Sequence, residues 1–147
     1  MNETLIADKL ELSELTNKLF MYTDALQWGK LITEVFAEKV LFDMSSASGE
    51  APQTLTAKAI CDMWQQGFSG LDAVHHQAGH YLITINSEGA DIYAYAVATH
   101  YKKAAVKGNT RTFVGSYDLK AVRGITGWRL SQFKYNLKYI DGNLSLD

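Results

Sequence analysis

Residues 73–85 read AVHHQAGHYLITI, and here the sequence changes from helix-like to strand-like patterning. Upstream, apolar side chains recur every three or four positions, which is the spacing of one face of a helix. Downstream, three more β-rich runs follow, separated by short turns that contain glycine: DIYAYAVATHYKK, TRTFVGSYDLKAV and WRLSQFKYNLKYI. Four long strands joined by tight turns are typical of an antiparallel meander.

The chain before this point predicts three helices and one early strand. The first helix carries an apolar stripe formed by Leu12, Leu15, Leu19, Tyr22 and Leu26. A second, shorter helix extends to Phe36, and KVLFDMSS then predicts a short strand that enters the polar loop SSASGEAPQTLT. Thr54 or Thr56 is expected to cap the third helix, because a threonine side chain can accept a bond from the first free backbone N–H groups.

Helices followed by a meander predict an α+β fold, with three N-terminal helices packed across the concave side of a curved, mainly antiparallel sheet. Neither an internal repeat nor a linker divides the sequence. The length of 147 residues suits one sizeable core. Residues 1–147 are therefore expected to form a single domain.

Composition excludes several classes of function. With 47% hydrophobic and 20% charged residues the chain is expected to be globular, and its net charge of −2 predicts no nucleic-acid partner. No apolar run approaches the roughly 20 residues that cross a membrane, and the N-terminus has no signal-peptide pattern. The single cysteine, Cys61, lies in an apolar helical segment and is expected to be a buried thiol. These features together predict a cytoplasmic location.

Four motifs in order carry a resemblance to a known family: YTDALQWGKL, VHHQAGH, VATHYKK and GSYDLKAVRGITGWRLSQF. Together they resemble the SnoaL-like family of the nuclear transport factor two-like superfamily, in the branch that includes scytalone dehydratase and bile acid dehydratases. The motifs span most of the chain. The resemblance implies a cone-shaped fold around a ligand pocket, and a protein that uses neither cofactor nor metal.

The resemblance also implies site residues. Asp24 matches the aspartate four positions before the tryptophan of the early motif, and His76 matches the catalytic histidine that opens the meander. His100, Ser116 and Asp118 match polar residues of the substrate pocket on the next strands.

Departures from the family pattern concern its tyrosines. Thr23 and Met44 occupy the positions of the two tyrosines that hold a water against the substrate carbonyl in scytalone dehydratase. Leu19 stands where the bile acid dehydratases have a tyrosine. Tyr22 is a candidate replacement, although it also continues the apolar stripe of the first helix.

Strand geometry separates the three clustered histidines. His75 and His76 must point to opposite faces of a strand, but alternation alone does not decide which one faces inward, and a bulge at Gly79 could change the phase. At about 3.3 Å per residue, His76 and His80 would lie about 13 Å apart, too far to share one metal ion. A metal site built from His76, His100 and Asp24 stays geometrically conceivable.

The neighbouring sequence also indicates where the side chains of His100 and Asp118 point. His100 shares its strand face with three alternating alanines, which leave room for a cavity unless a helix packs closely against them. Asp118 either faces the same cavity or pairs at the surface with Lys120 or Arg129.

The leading hypothesis is a small cofactor-independent lyase or isomerase acting on a cyclic, polyketide- or steroid-like apolar molecule with polar substituents. Asp24 would orient His76 as the general base. The alternative is a non-catalytic module that binds a ligand or builds an oligomer. A third interpretation, isomerase chemistry with an aspartate as the base, lacks residues for its oxyanion donors. Aromatic side chains on the convex face, drawn from Tyr93, Tyr95, Phe133 and Tyr135, predict a homodimer or homotrimer.

Overall fold

The computed structural model describes residues 2–147 and begins with one long helix. Helix α1 spans Glu3–Asp24, and the side chain of Asn2 caps it by accepting the backbone N–H of Leu5 at 2.8 Å. Its buried face consists of Leu12, Leu15, Thr16, Leu19, Phe20 and Thr23. Leu26 was predicted to extend this face, but the helix ends at Asp24, so Leu26 adopts a left-handed turn (φ 56°) and is exposed.

The second helical segment is irregular. Helix α2 (Trp28–Lys30) continues into a π-helical turn over Leu31–Val35, in which Leu31 and Val35 are fully buried. Phe36 was predicted to end this helix, but it is the first residue of strand β1 (Phe36–Asp43). Its backbone is extended, and its ring packs edge-on against Trp64 at 5.8 Å between centroids, so a tertiary contact has overridden the helical spacing.

The polar segment that was predicted as a loop contains two short elements before the last helix. They are the single turn α3 (Ser45–Ser48) and strand β2 (Gln53–Thr56), which pairs antiparallel with β1. Helix α4 spans Ala57–Phe68, and the side chain of Thr56 caps it by accepting the N–H of Ala59 at 3.1 Å. Cys61 in this helix is buried as expected, and burial raises the pKa of its thiol to about 11.

Four long strands form the predicted meander, and its pairing is antiparallel throughout. They are β3 (Ala73–Ile85), β4 (Ala90–Tyr101), β5 (Thr110–Gly124) and β6 (Gly127–Gly142). The strand order is β2-β1-β6-β5-β4-β3, and β1 lies parallel to β6. The predicted α+β fold is confirmed: an N-terminal helical region packs on a six-stranded mixed sheet that is not closed.

A bulge in β3 changes the face that its side chains occupy. The register with β4 shifts between Gly79 and Leu82, and His80 lies within the shift with a positive φ of 55°. Before the bulge the inward positions are Val74, His76 and Ala78, and after it they are Tyr81, Ile83 and Ile85. His80 consequently lies on the outer face, opposite to His76.

The core lies between the helices and the inner face of the sheet, so the outer face of the sheet carries the remaining side chains. Tyr93 and Tyr95 lie on that outer face, in alternation with the buried alanines of β4. Phe133 and Tyr135, which were considered for the same surface, are instead buried inside at 5% and 4% exposure. Self-association through the outer face stays a prediction. Among residues 2–147, no helix is long and apolar enough to cross a membrane.

Candidate functional site

A cavity of about 190 Å³ lies between helices α1 and α4 and the inner face of the sheet. Most of its wall is aromatic or aliphatic, with Trp64 and Phe68 from α4 on one side and Ala98 of β4 on the other. Its polar or titratable wall residues are Thr23, His76, His100, Tyr117 and Tyr135. An apolar cavity with a few polar groups directed inward is the usual form of a small-molecule site.

Asp24 and His76 make a two-point contact at the edge of this cavity. One carboxylate oxygen of Asp24 accepts the backbone N–H of His76 at 2.9 Å, and the other lies 2.6 Å from the ring Nδ1. An ionised carboxylate only accepts hydrogen bonds, so Nδ1 carries the proton and Nε2 of the neutral ring has the free lone pair. The structure therefore brings the predicted pair together, while its catalytic role stays a prediction.

Burial and packing restrain this pair. The side chains of His76 and Asp24 are only 12% and 22% exposed, and the ring of Phe20 packs against the imidazole at 5.4 Å between centroids. Asp24 is the last residue of α1, and the backbone contact joins the end of that helix to β3. Because both the backbone and the ring are held by one carboxylate, the imidazole is orientated before any ligand arrives.

The other two clustered histidines are separate from this pair. His75 points away from the cavity and is 65% exposed, although its Nδ1 lies 3.9 Å from Asp24. His80 lies on the outer face beside Tyr95, with 6.2 Å between the ring centroids. Within residues 2–147, no three histidine, cysteine or acidic side chains are grouped so that they could hold a metal ion.

His100 lines the cavity as a neutral hydrogen-bond donor. Its Nδ1 accepts a hydrogen bond from Nε of Arg111 at 3.0 Å, so the proton of the neutral ring resides on Nε2. Burial, with the charge of Arg111 as the next cause, lowers the pKa of His100 to about 4. His76 and His100 therefore present opposite tautomers: His76 offers a lone pair at Nε2 and His100 offers an N–H.

This pKa shift predicts a loss of stability in acid. The pKa of His100 is about 4 in the folded protein against an ordinary value of 6.5, so the unfolded chain binds more protons between these two values. The stabilisation from neutral His100 is present above pH 6.5 and is lost as the pH falls towards 4. Between pH 7 and pH 4.5 the wild type should lose about 2 kcal/mol more unfolding free energy than His100→Gln.

Urea unfolding at the two pH values measures this difference. The matched control is His80→Gln on the outer face, which should lose stability in acid to the same extent as the wild type. Equal acid sensitivity of His100→Gln and the wild type would contradict the neutral assignment.

Three residues predicted for the pocket lie elsewhere, and the first is Tyr22. Its hydroxyl donates to Glu34 at 3.2 Å, and the ammonium of Lys30 lies 5.3 Å from the centre of its ring. Tyr22 does not line the cavity, because α1 turns Leu19, Phe20 and Thr23 towards it instead. It therefore does not replace the family's tyrosine.

Ser116 and Asp118 are the other two corrections. Both lie on the outer face of the sheet, where the side-chain amide of Asn136 donates to them at 3.3 and 2.9 Å. Gly115 and Tyr117 are the buried positions in this part of β5, and they pair with inward-facing alanines of β4. Ser116 and Asp118 alternate with these buried positions and cannot reach the cavity.

The cavity residues that sequence reasoning missed are Tyr117 and Tyr135. Each is 4% exposed, and their rings pack at 4.9 Å between centroids. Burial raises the pKa of Tyr135 to about 12 and also raises that of Tyr117, so both keep their hydroxyl protons at neutral pH. The aromatic alternation of β6 is a usable signal, but the register of β6 against β5 shifts twice, and the sequence does not show where these shifts fall.

The chain is similar to known proteins in both sequence and fold. A model of the SnoaL-like domain matches residues 4–134, and the chain belongs to this SnoaL-like family. No curated protein matches the sequence significantly.

Solved structures share the whole architecture. The Kfla4162 protein from Kribbella flavida is 30% identical, with 97% of each chain covered and a TM-score of 0.90. A scytalone dehydratase-like protein from Novosphingobium aromaticivorans is 13% identical, with 96% of this chain and 91% of that chain covered and a TM-score of 0.81. A LinA-type3 hexachlorocyclohexane dehydrochlorinase from Novosphingobium barchaimii is 12% identical over 92% and 90% of the two chains, with a TM-score of 0.76. The last two, at this identity, are similar in fold alone.

Proposed function

We propose that this protein is a cofactor-independent lyase or isomerase of the dehydratase type, in which His76 acts as the general base. The observation that carries the proposal is the two-point contact of Asp24 with His76 at the wall of an apolar cavity. Proteins of similar fold include a scytalone dehydratase-like protein and a dehydrochlorinase, which is consistent with elimination chemistry.

The reaction follows from the two histidine tautomers. Nε2 of His76 removes a proton from a carbon next to a carbonyl, and the electron pair of the broken C–H bond moves to form an enolate. Nε2–H of His100 donates to the enolate oxygen, since this ring stays neutral with its Nδ1 bound to Arg111. The proton on His76 then returns to another carbon, which is isomerisation, or leaves with a hydroxyl group as water, which is dehydration.

The size of the cavity limits the substrate. A protein cavity of about 150 Å³ lined by apolar side chains is known to bind benzene. The 190 Å³ available here therefore suits one ring with substituents or two small fused rings. A steroid would extend out of this volume, so the polyketide-like half of the substrate prediction is favoured.

One observation favours the alternative, a non-catalytic binding module. Thr23 and Met44 line the cavity at the positions of the family's water-holding tyrosines. The hydroxyl of Thr23 donates to the backbone carbonyl of Leu19 at 2.6 Å, and Met44 has no donor. Neither side chain holds a water as the tyrosines would, so in the alternative the cavity binds a ligand without converting it.

Exchange of the α-protons of a bound ketone with D₂O distinguishes the lyase or isomerase from the non-catalytic binding module. The wild-type protein is mixed with 2-tetralone or 1-indanone in D₂O, and the loss of α-proton signals is followed by NMR. A positioned base should accelerate this exchange by at least about 10²-fold over an equal concentration of free imidazole. Line broadening of the ketone without accelerated exchange would contradict the lyase proposal and support the binding module.

A further inference from the structure

The hydroxyl of Tyr135 is a buried polar group without a partner. The residue lines the cavity with 4% exposure, and within residues 2–147 its Oη is enclosed without any hydrogen bond. Buried polar atoms nearly always have a partner, because an unpaired one has lost its bonds to water and gained nothing in return. An unpaired hydroxyl on a residue that lines a ligand cavity is therefore a candidate partner for an oxygen of the ligand.

Gly115 provides the space for this hydroxyl. A Cβ atom at this position would lie 2.7 Å from Oη of Tyr135, closer than such contacts occur in proteins. Gly115 pairs with Ala96 of β4, so the neighbouring position is small as well. The end of the phenol thus lies over Gly115, where it is held in place without a polar contact of its own.

The hydroxyl is remote from the proposed base. A line of ring contacts runs from His76 to Phe20 at 5.4 Å, from Phe20 to Tyr117 at 5.1 Å, and from Tyr117 to Tyr135 at 4.9 Å. A planar ligand that lies along these rings would have one edge at His76 and the other at Tyr135. His100 pairs with Val74, two positions from His76 on β3, so it belongs to the reacting end.

We infer that Tyr135 determines specificity by bonding a hydroxyl or carbonyl oxygen on the end of the ligand that is remote from His76. This inference rests on the proposed function, which defines the reacting end. A tyrosine hydroxyl can donate and accept, so it pairs with either oxygen type. The ligand class that results is a planar molecule of one or two rings with oxygen substituents at opposite ends.

Two naphthalene probes that differ in one group test this inference. 2,6-Dihydroxynaphthalene and 6-methyl-2-naphthol are titrated by fluorescence into the wild type, Tyr135→Phe and Tyr139→Phe. The preference for the dihydroxy probe, expressed as the ratio of the two Kd values, should fall about 3- to 10-fold in Tyr135→Phe, which is the contribution of one hydrogen bond. Tyr139 lies on the same strand but is 53% exposed, so Tyr139→Phe should keep the wild-type ratio.

Stability and an exposed histidine provide independent controls. Tyr135→Phe removes an unpaired hydroxyl and should have an equal or higher Tm. His75→Ala, at the exposed neighbour of the base, should leave the Kd ratio unchanged. A ratio in Tyr135→Phe equal to that of the wild type would overturn the inference, and so would failure of both probes to bind the wild type. Because binding is measured without turnover, the inference can fail while accelerated proton exchange still supports the base, or hold while exchange is absent.

Discussion

Replacing His76 with alanine should lower the rate of α-proton exchange on a bound cyclic ketone by about 10²–10⁴-fold, the usual contribution of a positioned general base. The substitution removes the only lone pair that the Asp24 contact orientates, and the backbone N–H that Asp24 also accepts is kept. The NMR exchange assay measures the rate directly. The Tm should stay near the wild-type value, because the ring is at the cavity wall and not in the packed core.

The neighbouring His75 provides a matched control for this prediction. His75 is an adjacent histidine on the same strand, and its Nδ1 is 3.9 Å from the same carboxylate, but its side chain is 65% exposed and points away from the cavity. His75→Ala should therefore keep the exchange rate of the wild type. Equal rates in His76→Ala and the wild type would show that another group removes the proton.

Replacing Asp24 with asparagine should lower the same rate by about 10²–10⁴-fold, although the shape of the side chain hardly changes. If the amide oxygen accepts the backbone N–H of His76, the amide NH₂ group faces Nδ1 of the ring. Nδ1 must then accept, and the proton moves to Nε2, where a lone pair is needed. The loss is therefore a loss of the correct tautomer, not of binding.

Two controls complete the Asp24→Asn experiment: a measurement of ligand binding and a substitution of a surface aspartate. The Kd of 2-naphthol should change little in Asp24→Asn, because the apolar walls are untouched. Asp91→Asn, at an exposed ion pair with Lys120 on the outer face, should retain the full exchange rate. A fully active Asp24→Asn protein would rule out the orientating role of the carboxylate.

Much of the candidate site could be predicted from the sequence, because either the alternation of side chains along a strand or the family resemblance located its residues. The alternating alanines of β4 predicted a cavity wall with His100 on the same face, and both Ala98 and His100 line the cavity. Asp24 and His76 are 52 positions apart in the sequence, so only the resemblance could pair them. The pairing that it predicted is present in the structure.

The errors on β5 and β6 have one physical origin, which is the phase of a strand. In a strand each single-residue shift exchanges the two faces, so one bulge reverses the prediction for every residue beyond it. Ser116 and Asp118 pair with the outward-facing tyrosines of β4 and so lie on the outer face, whereas Tyr117 points into the cavity. Tyr135 was missed for the same reason, since its face on β6 could not be inferred from alternation.

Local patterning was sufficient for the order of helices and meander strands, because helical and strand periodicities depend on neighbours a few residues apart. The parallel pairing of β1 with β6, the two short elements between Ser45 and Thr56, and the strand phases depend on contacts between distant segments. The same holds for the chemistry of the cavity. His100 is a neutral donor because Arg111 and burial make it one, and Tyr135 is an unpaired hydroxyl because Gly115 leaves it room. No short-range pattern encodes those environments, since each is produced only when separate strands pack together.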